Sequence, residues 1–354
     1  MTQPNSERHT PGDPPGRLSW HWRWLHRPHP RWVSIATLGA AAALLATIVF
    51  VAAPDLTHAA EPSLSVQRST PRIVAPAPTA TIAKSAGNAE AASKLTWTTT
   101  TYSEVFGGLR RSYVVVRPAT ASAVPLPMVV DLGGCCTTVA VEMARADFRQ
   151  VTGPAIIVYP EYVDGNWDAG ACCGQPVTDR INDVGFVNSV IAGVKTSQPD
   201  ASTGPVYLAG YSNGGKLATM MACQEPAAFA AVAVYGATRT SDCPNLPAEP
   251  VLVMVGSADP GTAISGTPVV QNGYVEPTVG QLVADYRLAD GCSPSVSNAM
   301  TAGIASGTLW TQCAGGRQVG VVVYEGANHT WPETSGPTPS AQQVMWHFFV
   351  SLGA

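Results

Sequence analysis

Short apolar runs alternate with segments of helical spacing over residues 95–354. Seven runs have the length and the β-branched composition of buried strands. These runs are 113–117, 128–132, 155–159, 206–209, 231–235, 251–255 and 319–324. Apolar stripes predict a helix at Val187, Val190, Ile191 and Val194 and another at Val344, Phe348 and Leu352. This alternation predicts one α/β domain, built on a mostly parallel sheet flanked by helices.

The N-terminal third has a different pattern. Residues 33–53 are uncharged and apolar, and 21 residues of helix can cross a bilayer. Five arginines precede this segment, so the positive-inside rule predicts a cytoplasmic tail (1–32), a transmembrane anchor (33–53) and an extracytoplasmic remainder. A cleaved signal peptide is the alternative, with small residues near His58 as the cleavage site. Residues 54–94 are rich in Ala, Pro and Thr and predict a disordered tether before the α/β domain, 95–354.

Charge and cysteine content narrow the possible functions. Charged residues make up 12% of the chain and the net charge is −4, so no basic face predicts nucleic-acid binding. All eight cysteines follow the tether, and an even number in an exported domain favours disulfides. Zinc binding is the alternative, but the sequence has no C-x-x-C motif and no Cys/His cluster of ligand spacing. The sequence therefore predicts no metal and no cofactor.

A serine among glycines follows the fourth predicted strand, in the sequence GYSNGG (210–215). A G-x-S-x-G turn between a strand and a helix exposes the serine hydroxyl at the helix N-terminus. A chance match is the alternative, because glycine is frequent in this chain. The partners of Ser212 must therefore decide between the two interpretations.

Elimination among seven histidines leaves one candidate base. Four precede the apolar segment, His58 lies in the tether, and His347 lies within the apolar helix pattern VMWHFFV. His329 follows the strand 319–324, and Asp259 follows the strand 251–255. An ordinary turn is the alternative for Asp259. The order Ser212, Asp259, His329 is the order of an α/β-hydrolase triad, with each residue shortly after a strand.

An oxyanion site needs two backbone donors. One is expected at Asn213, directly after the nucleophile, and the other at Cys135, in the glycine-rich loop after the strand 128–132. A plain turn is the alternative for that loop.

These residues resemble the extracellular esterase family that includes polyhydroxybutyrate depolymerases and feruloyl or acetylxylan esterases. The most specific segments are GYSNGG, ACCGQP (171–176), NDVGFV (182–187) and NHTWP (328–332). The resemblance implies the α/β-hydrolase fold, the triad Ser212, Asp259 and His329, and an oxyanion amide near Cys135. It also implies that Trp331 contacts the substrate, with core packing as the alternative, and we expect Tyr211 beside the nucleophile to do the same.

The chain departs from the family pattern L-H-G-C, because Gly133 stands where the histidine is usual. We expect bridges between the doublets Cys135-Cys136 and Cys172-Cys173 to support this loop instead. Cys223 with Cys243 and Cys292 with Cys313 are the remaining pairs.

The expected function is an extracytoplasmic serine esterase that cleaves small-molecule or oligomeric esters through an acyl-enzyme. Hydroxyalkanoate, feruloyl and short acyl esters are the expected substrates. A peptidase on the same scaffold and an inactive cell-envelope binding protein are the alternatives.

Overall fold

A computed structural model describes residues 95–294 and 298–352. The predicted anchor and tether lie outside these residues, so the domain boundaries drawn from the sequence stay predictions. Within the described ranges, no helix has the length and apolar content needed to cross a membrane.

Ten strands form one large sheet, and two short strands form a separate hairpin in the described part of the chain. The strands are β1 (Trp97–Phe106), β2 (Leu109–Pro118), β3 (Met128–Leu132), β4 (Ile156–Pro160), β5 (Val206–Tyr211), β6 (Ala231–Tyr235), β7 (Val251–Gly256), β8 (Val270–Gln271), β9 (Tyr274–Val275), β10 (Asn298–Ala302), β11 (Ala305–Trp310) and β12 (Val319–Tyr324). The order in the sheet is β1-β2-β4-β3-β5-β6-β7-β12-β11-β10. Strands β4 to β12 in this order are parallel, and the pairs at both edges are antiparallel.

Helices cover both faces of the sheet. They are α1 (Val139–Arg145), α2 (Gly174–Asp179), α3 (Asp183–Ser197), α4 (Ser212–Gln224), α5 (Val279–Ala289) and α6 (Ala341–Ser351), with 3₁₀ turns at Phe148–Gln150, Pro199–Ala201 and Ala314–Gly316. Successive residues of a strand point to opposite faces, so Val129 and Val130 belong to different core clusters. This double burial explains why the central strands are almost entirely apolar.

All seven predicted strands are present, and the prediction of a mostly parallel sheet is confirmed. The sequence patterns missed β1, β10 and β11 and the short hairpin of β8 and β9. Strands β1 and β10 are largely exposed and β11 is half-buried, and their threonines, serines and glycines lack an apolar run. The edge of a sheet can carry such polar residues because solvent covers one of its faces.

The disulfides confirm two expected pairs and correct a third expectation. Cys223 is bonded to Cys243, and Cys292 to Cys313. The expected bridges between the two doublets are wrong, because Cys172 is bonded to Cys173 while Cys135 and Cys136 are free thiols. The side chain of Cys172 is buried, with its Sγ 3.9 Å from Nδ2 of Asn213, whereas Cys136 is exposed. The two doublets therefore present their sulfur atoms to different surroundings.

Candidate active site

Ser212 occupies a sharp turn between β5 and α4. Its φ is +52°, in the left-handed region that residues other than glycine adopt rarely. The glycines on either side allow the close approach of strand and helix. A Cβ atom at Gly214 would overlap the carbonyl oxygens of Leu132 and Gly133, and one at Gly210 would lie 2.8 Å from the Gly214 oxygen. The turn therefore requires its glycines and presents the serine hydroxyl at the start of α4.

His329 and Asp259 complete a hydrogen-bonded relay with Ser212. Nε2 of His329 lies 2.7 Å from Oγ of Ser212, and Nδ1 lies 2.8 Å from Oδ2 of Asp259. The other carboxylate oxygen of Asp259 accepts the Gly261 N–H at 2.7 Å. The Asp259 side chain is fully buried, while that of His329 is 32% exposed. With its proton on Nδ1, the imidazole donates to Asp259 and accepts from Ser212, as a general base requires.

Gly236 gives the imidazole its space, a role the sequence patterns missed. It follows β6 with φ +61°, and a Cβ atom there would lie 3.0 Å from Cε1 of His329 and 3.3 Å from Oδ2 of Asp259. A glycine directly after a predicted strand is the signal that could have revealed this position.

Two tyrosines hold the backbone of the histidine loop. The hydroxyl of Tyr211 donates to the His329 carbonyl at 2.7 Å, and that of Tyr235 donates to the Asn328 carbonyl at 3.0 Å. Burial raises the pKa of both phenols, so both stay protonated as donors at neutral pH. Tyr211 is 9% exposed and lies beside the relay as predicted, but its hydroxyl is engaged with the protein. The role of Tyr235 was not predicted.

Trp331 lies behind the histidine loop. It is 4% exposed, and its indole N–H donates to Oε1 of Gln342 at 2.9 Å. Its ring packs edge-on against Tyr211 at 5.7 Å and lies 5.9 Å from the ring of Tyr235. These contacts fit the packing role that was the alternative considered from sequence, and contact between Trp331 and a substrate stays a prediction.

Asn213 connects the nucleophile turn to the segment that contains Trp167. Its Oδ1 accepts the Trp167 N–H at 2.7 Å, and its Nδ2 donates to the Trp167 carbonyl at 3.2 Å. The Trp167 indole in turn donates to the Gly133 carbonyl at 3.0 Å. Trp167 thus links the nucleophile turn with the glycine loop, a connection between distant segments that no local pattern indicates. The backbone N–H of Asn213 lies in the first turn of α4, where amides have no partner within the helix.

The glycine loop lies directly against the nucleophile. A Cβ atom at Gly134 would be 3.3 Å from Cβ of Ser212 and 2.7 Å from Cδ1 of Tyr211. The Cys136 N–H donates to the Gly165 carbonyl at 2.8 Å, whereas the Cys135 N–H has no oxygen acceptor among the described residues. Burial raises the pKa of the Cys135 thiol to about 11, so the thiol is neutral at physiological pH. The first turn of α4, which includes Asn213, and the loop before Cys135 therefore both lie against Ser212.

The described ranges contain no group of three or more His, Cys, Asp or Glu side chains that could hold a metal ion.

Comparison with known proteins identifies the fold class. No family model matches the chain. NocK of Nocardia uniformis subsp. tsuyamanensis, a protein named as a proposed esterase, is 29% identical over 272 residues, which cover 68% of this chain and 76% of NocK. The acetyl xylan esterase of Aspergillus awamori superposes with a TM-score of 0.50 at 14% identity, covering 71% of this chain and 99% of that one. Together with the parallel sheet and its flanking helices, this likeness shows that the chain has the α/β-hydrolase fold.

Proposed function

We propose that this chain is a serine hydrolase of carboxylic esters. One observation carries the proposal: a single imidazole lies within hydrogen-bond distance of both the Ser212 hydroxyl and a buried carboxylate. That arrangement activates a serine for attack on a carbonyl carbon. The similarity to NocK, named as a proposed esterase, supports the same class of reaction.

In the proposed mechanism, the Ser212 hydroxyl attacks the ester carbonyl while Nε2 of His329 takes its proton. Asp259 orients the imidazole and stabilises the imidazolium that forms. The amides of Asn213 and Cys135 donate to the developing oxyanion. The imidazolium then protonates the leaving alcohol, and an acyl group remains on Ser212. Water, deprotonated by His329, attacks this acyl-enzyme and releases the acid.

Two lines of support favour an extracytoplasmic site for this reaction. The cysteine pairs Cys223–Cys243 and Cys292–Cys313 lie at bonding distance, and disulfides persist in oxidising compartments. The apolar segment 33–53 could anchor or export the chain. We propose that the tether 54–94 links the catalytic domain to this segment.

The proposed substrates are hydroxyalkanoate, feruloyl or short acyl esters, small or oligomeric. This choice follows the sequence resemblance to polyhydroxybutyrate depolymerases and feruloyl or acetylxylan esterases. A panel of p-nitrophenyl esters of increasing chain length, methyl ferulate and hydroxybutyrate oligomers would rank these classes. Matched anilide and peptide substrates would distinguish an esterase from a peptidase.

A fluorophosphonate probe tests the proposed function, because it reacts with activated serines. We expect one probe per chain, located at Ser212 by peptide mass spectrometry, with loss of ester turnover in proportion to labelling. Labelling at another residue, or no labelling of a folded protein, would exclude the proposed nucleophile.

A further inference from the structure

Two buried carboxyl groups lie beneath the glycine loop, outside the relay. Asp131 is in β3, two residues before Gly133, and is 0% exposed; Glu142 is in α1 and is 3% exposed. No described residue donates a hydrogen bond to Asp131, whereas the Glu142 carboxyl interacts with the backbone N–H of Gly134 in the loop. Both line one small cavity with Tyr159 and Tyr162. A buried carboxylate without a donor is costly, so this pair calls for a physical explanation.

Glu142 fills the space beside Gly133. A Cβ atom at Gly133 would lie 2.9 Å from Cγ and 3.0 Å from Oε2 of Glu142. The carboxyl group of Glu142 therefore packs against the backbone of the loop that carries the proposed oxyanion donor. Any side chain at position 133 would compete with it for this space.

The same pair is connected to the other half of the site. The Arg145 guanidinium lies 3.3 Å from Oε2 of Glu142 and 4.8 Å from the ring centre of Tyr211. The Tyr211 hydroxyl donates to the His329 carbonyl. One contiguous set of contacts thus runs from Glu142, which lines the same cavity as Asp131, to the backbone of His329.

Charge balance indicates how the pair is neutralised. Two ionised carboxylates beside a single guanidinium would leave a net negative charge in a buried site. The other titratable groups facing the pair are the phenols of Tyr159 and Tyr162 and the Cys135 thiol, which are neutral at physiological pH, and the Glu161 carboxyl group, which accepts a hydrogen bond from the Ser112 hydroxyl. Burial raises the pKa of Asp131 well above its ordinary value and also raises the pKa of Glu142. Retaining one proton leaves one carboxylate opposite one guanidinium.

We propose that Asp131 and Glu142 share one proton and act as a positioning pair that holds the glycine loop against Ser212. A shared proton gives the pair an internal O–H donor and makes the site neutral with Arg145. Loss of this proton would place two carboxylates together and displace the loop. The proposal rests on the proposed function, because the loop matters for catalysis only if Ser212 is acylated.

Substitutions at Glu142 distinguish positioning from simple structural support. Glu142→Gln keeps the shape and supplies an N–H donor to Asp131, so we expect it to retain most of the wild-type kcat. Glu142→Ala removes the packing against Gly133, and we expect kcat to fall about 10- to 100-fold with little change in KM. Glu161→Gln is the matched control, because Glu161 lines the same cavity but bonds Ser112 of β2.

The rate at which a fluorophosphonate probe reacts with Ser212 should rank the variants in the same order as kcat. This rate should also depend on pH. In the wild type, the rate should fall at alkaline pH as the raised pKa of the pair is passed and the proton leaves. Glu142→Gln should lack this alkaline fall, since the remaining carboxylate has a permanent donor. Thermal unfolding of each variant shows whether it is folded at the assay temperature.

Infrared difference spectroscopy tests the shared proton without any substrate. Because burial raises the pKa of the remote Glu249 to about 8, the Glu249→Gln protein is used as the background. In it, we expect a protonated carboxyl C=O band at neutral pH that disappears on adding Asp131→Asn. Absence of that band, equal rates for Glu142→Ala and wild type, or equal losses in Glu142→Gln and Glu142→Ala would overturn the proposed pair. A wild-type Ser212 that is inert toward both probe and esters would instead overturn the proposed function, and the positioning role with it.

Discussion

The two ends of α4 differ in what their local structure provides. At its N-terminus, Ser212 has a left-handed φ, and the preceding residue, Tyr211, makes no side-chain cap hydrogen bond. At its C-terminus, the Glu225 N–H donates to the Met221 carbonyl, and Cys223 is tied to Cys243 by a disulfide. The N-terminal end lacks a side-chain cap beside the Ser212 hydroxyl, whereas at the C-terminal end the backbone is hydrogen-bonded and the chain is held by a disulfide.

The starts of α5 and α6 strengthen the contrast. Thr278 and Ser340 each form a capping box, in which the side chain accepts an N3 amide and the N3 glutamine returns the bond. The N-terminus of α4 breaks the same rule at the candidate nucleophile. A left-handed conformation for a residue other than glycine costs about 1–3 kcal/mol, and such strain concentrates at functional sites. The comparison indicates that the N-terminal end of α4 serves the proposed chemistry, while its C-terminal end contributes to stability.

The largest expected effect is on catalysis at the N-terminal end. Ser212→Ala and His329→Ala should each lower kcat at least about 10⁴-fold, because the two groups act as one unit. The free energy of unfolding should change little, because the turn at Ser212 keeps its glycines in both variants. His347→Ala is the matched control: this histidine lies partly exposed in α6 and should leave ester turnover unchanged. Steady-state kinetics measures the activity of each variant, and circular dichroism shows whether it is folded. Loss of activity in His347→Ala alone would mean that His329 is not the base.

The next largest effect is on stability, through the packing of the N-terminal end of α4 against β3. A methyl group at Gly214 would overlap the backbone oxygens of Leu132 and Gly133, which cannot move aside, so Gly214→Ala should cost about 3 kcal/mol or more of stability. Gly193→Ala in α3 is the control, because its added Cβ would lie an ordinary 3.5 Å from the Tyr113 hydroxyl. That variant should gain roughly 0.5–1 kcal/mol from helix propensity. Urea unfolding would measure both; equal stabilities would show that the close approach of β3 and α4 is not required.

Removal of the disulfide at the C-terminal end should affect stability alone. The bond between Cys223 and Cys243 spans 20 residues, and closing such a loop is worth about 3 kcal/mol through the unfolded chain. The double variant Cys223→Ser/Cys243→Ser should lose roughly that much stability and keep its kcat at a temperature where it is folded. A comparable loss of kcat in the folded variant would contradict the separation of the two ends.

A buried acid remote from the relay gives a pH-dependent effect. Both carboxylate oxygens of Glu249 are buried without a described hydrogen-bond partner, and burial, reinforced by Asp290, raises its pKa to about 8. The folded state therefore retains a proton that the unfolded chain releases, so stability should fall as pH rises from about 4.5 to 8. Glu249→Gln should remove this dependence and raise stability by a few kcal/mol above pH 8. Melting curves across pH that overlay for variant and wild type would contradict this assignment.

The smallest expected effect is at the capped start of α5. Thr278→Ala removes the acceptor of the Gln281 N–H and should cost about 1 kcal/mol without changing kcat. Thr278→Ser keeps the hydroxyl oxygen and serves as the control. If Thr278→Ala lowered kcat as strongly as it lowers stability, the separation between capped and reactive helix starts would be wrong.

Local patterns were sufficient for the central strands and for the three residues of the relay. Strong apolar runs mark the buried strands, and the glycines around Ser212 and the positions of Asp259 and His329 after strands indicate the relay. The catalytic roles of these residues stay predictions, as do the membrane anchor and the domain boundaries. The patterns failed at outer strands, whose polar residues resemble loops.

Contacts between distant segments could not be predicted. Trp167 links the glycine loop to the nucleophile turn, and Gly236 makes room for an imidazole from the loop after β12. Glu142 packs against Gly133 only once α1 lies over the glycine loop. The incorrect disulfide expectation has the same origin. It depended on the directions of the Cys135 and Cys172 side chains, which the backbone fold determines and the spacing does not.

Direct detection of an acyl group on Ser212 tests the proposed chemistry most sharply. The protein is mixed with a p-nitrophenyl ester that it hydrolyses, quenched in acid within the first turnovers and digested for peptide mass spectrometry. We predict that the peptide containing Ser212 carries the acyl group in the wild type, and that Ser212→Ala and His329→Ala carry none. Ester hydrolysis that proceeds without an acyl group on Ser212, or with the group on another residue, would contradict the proposed nucleophile.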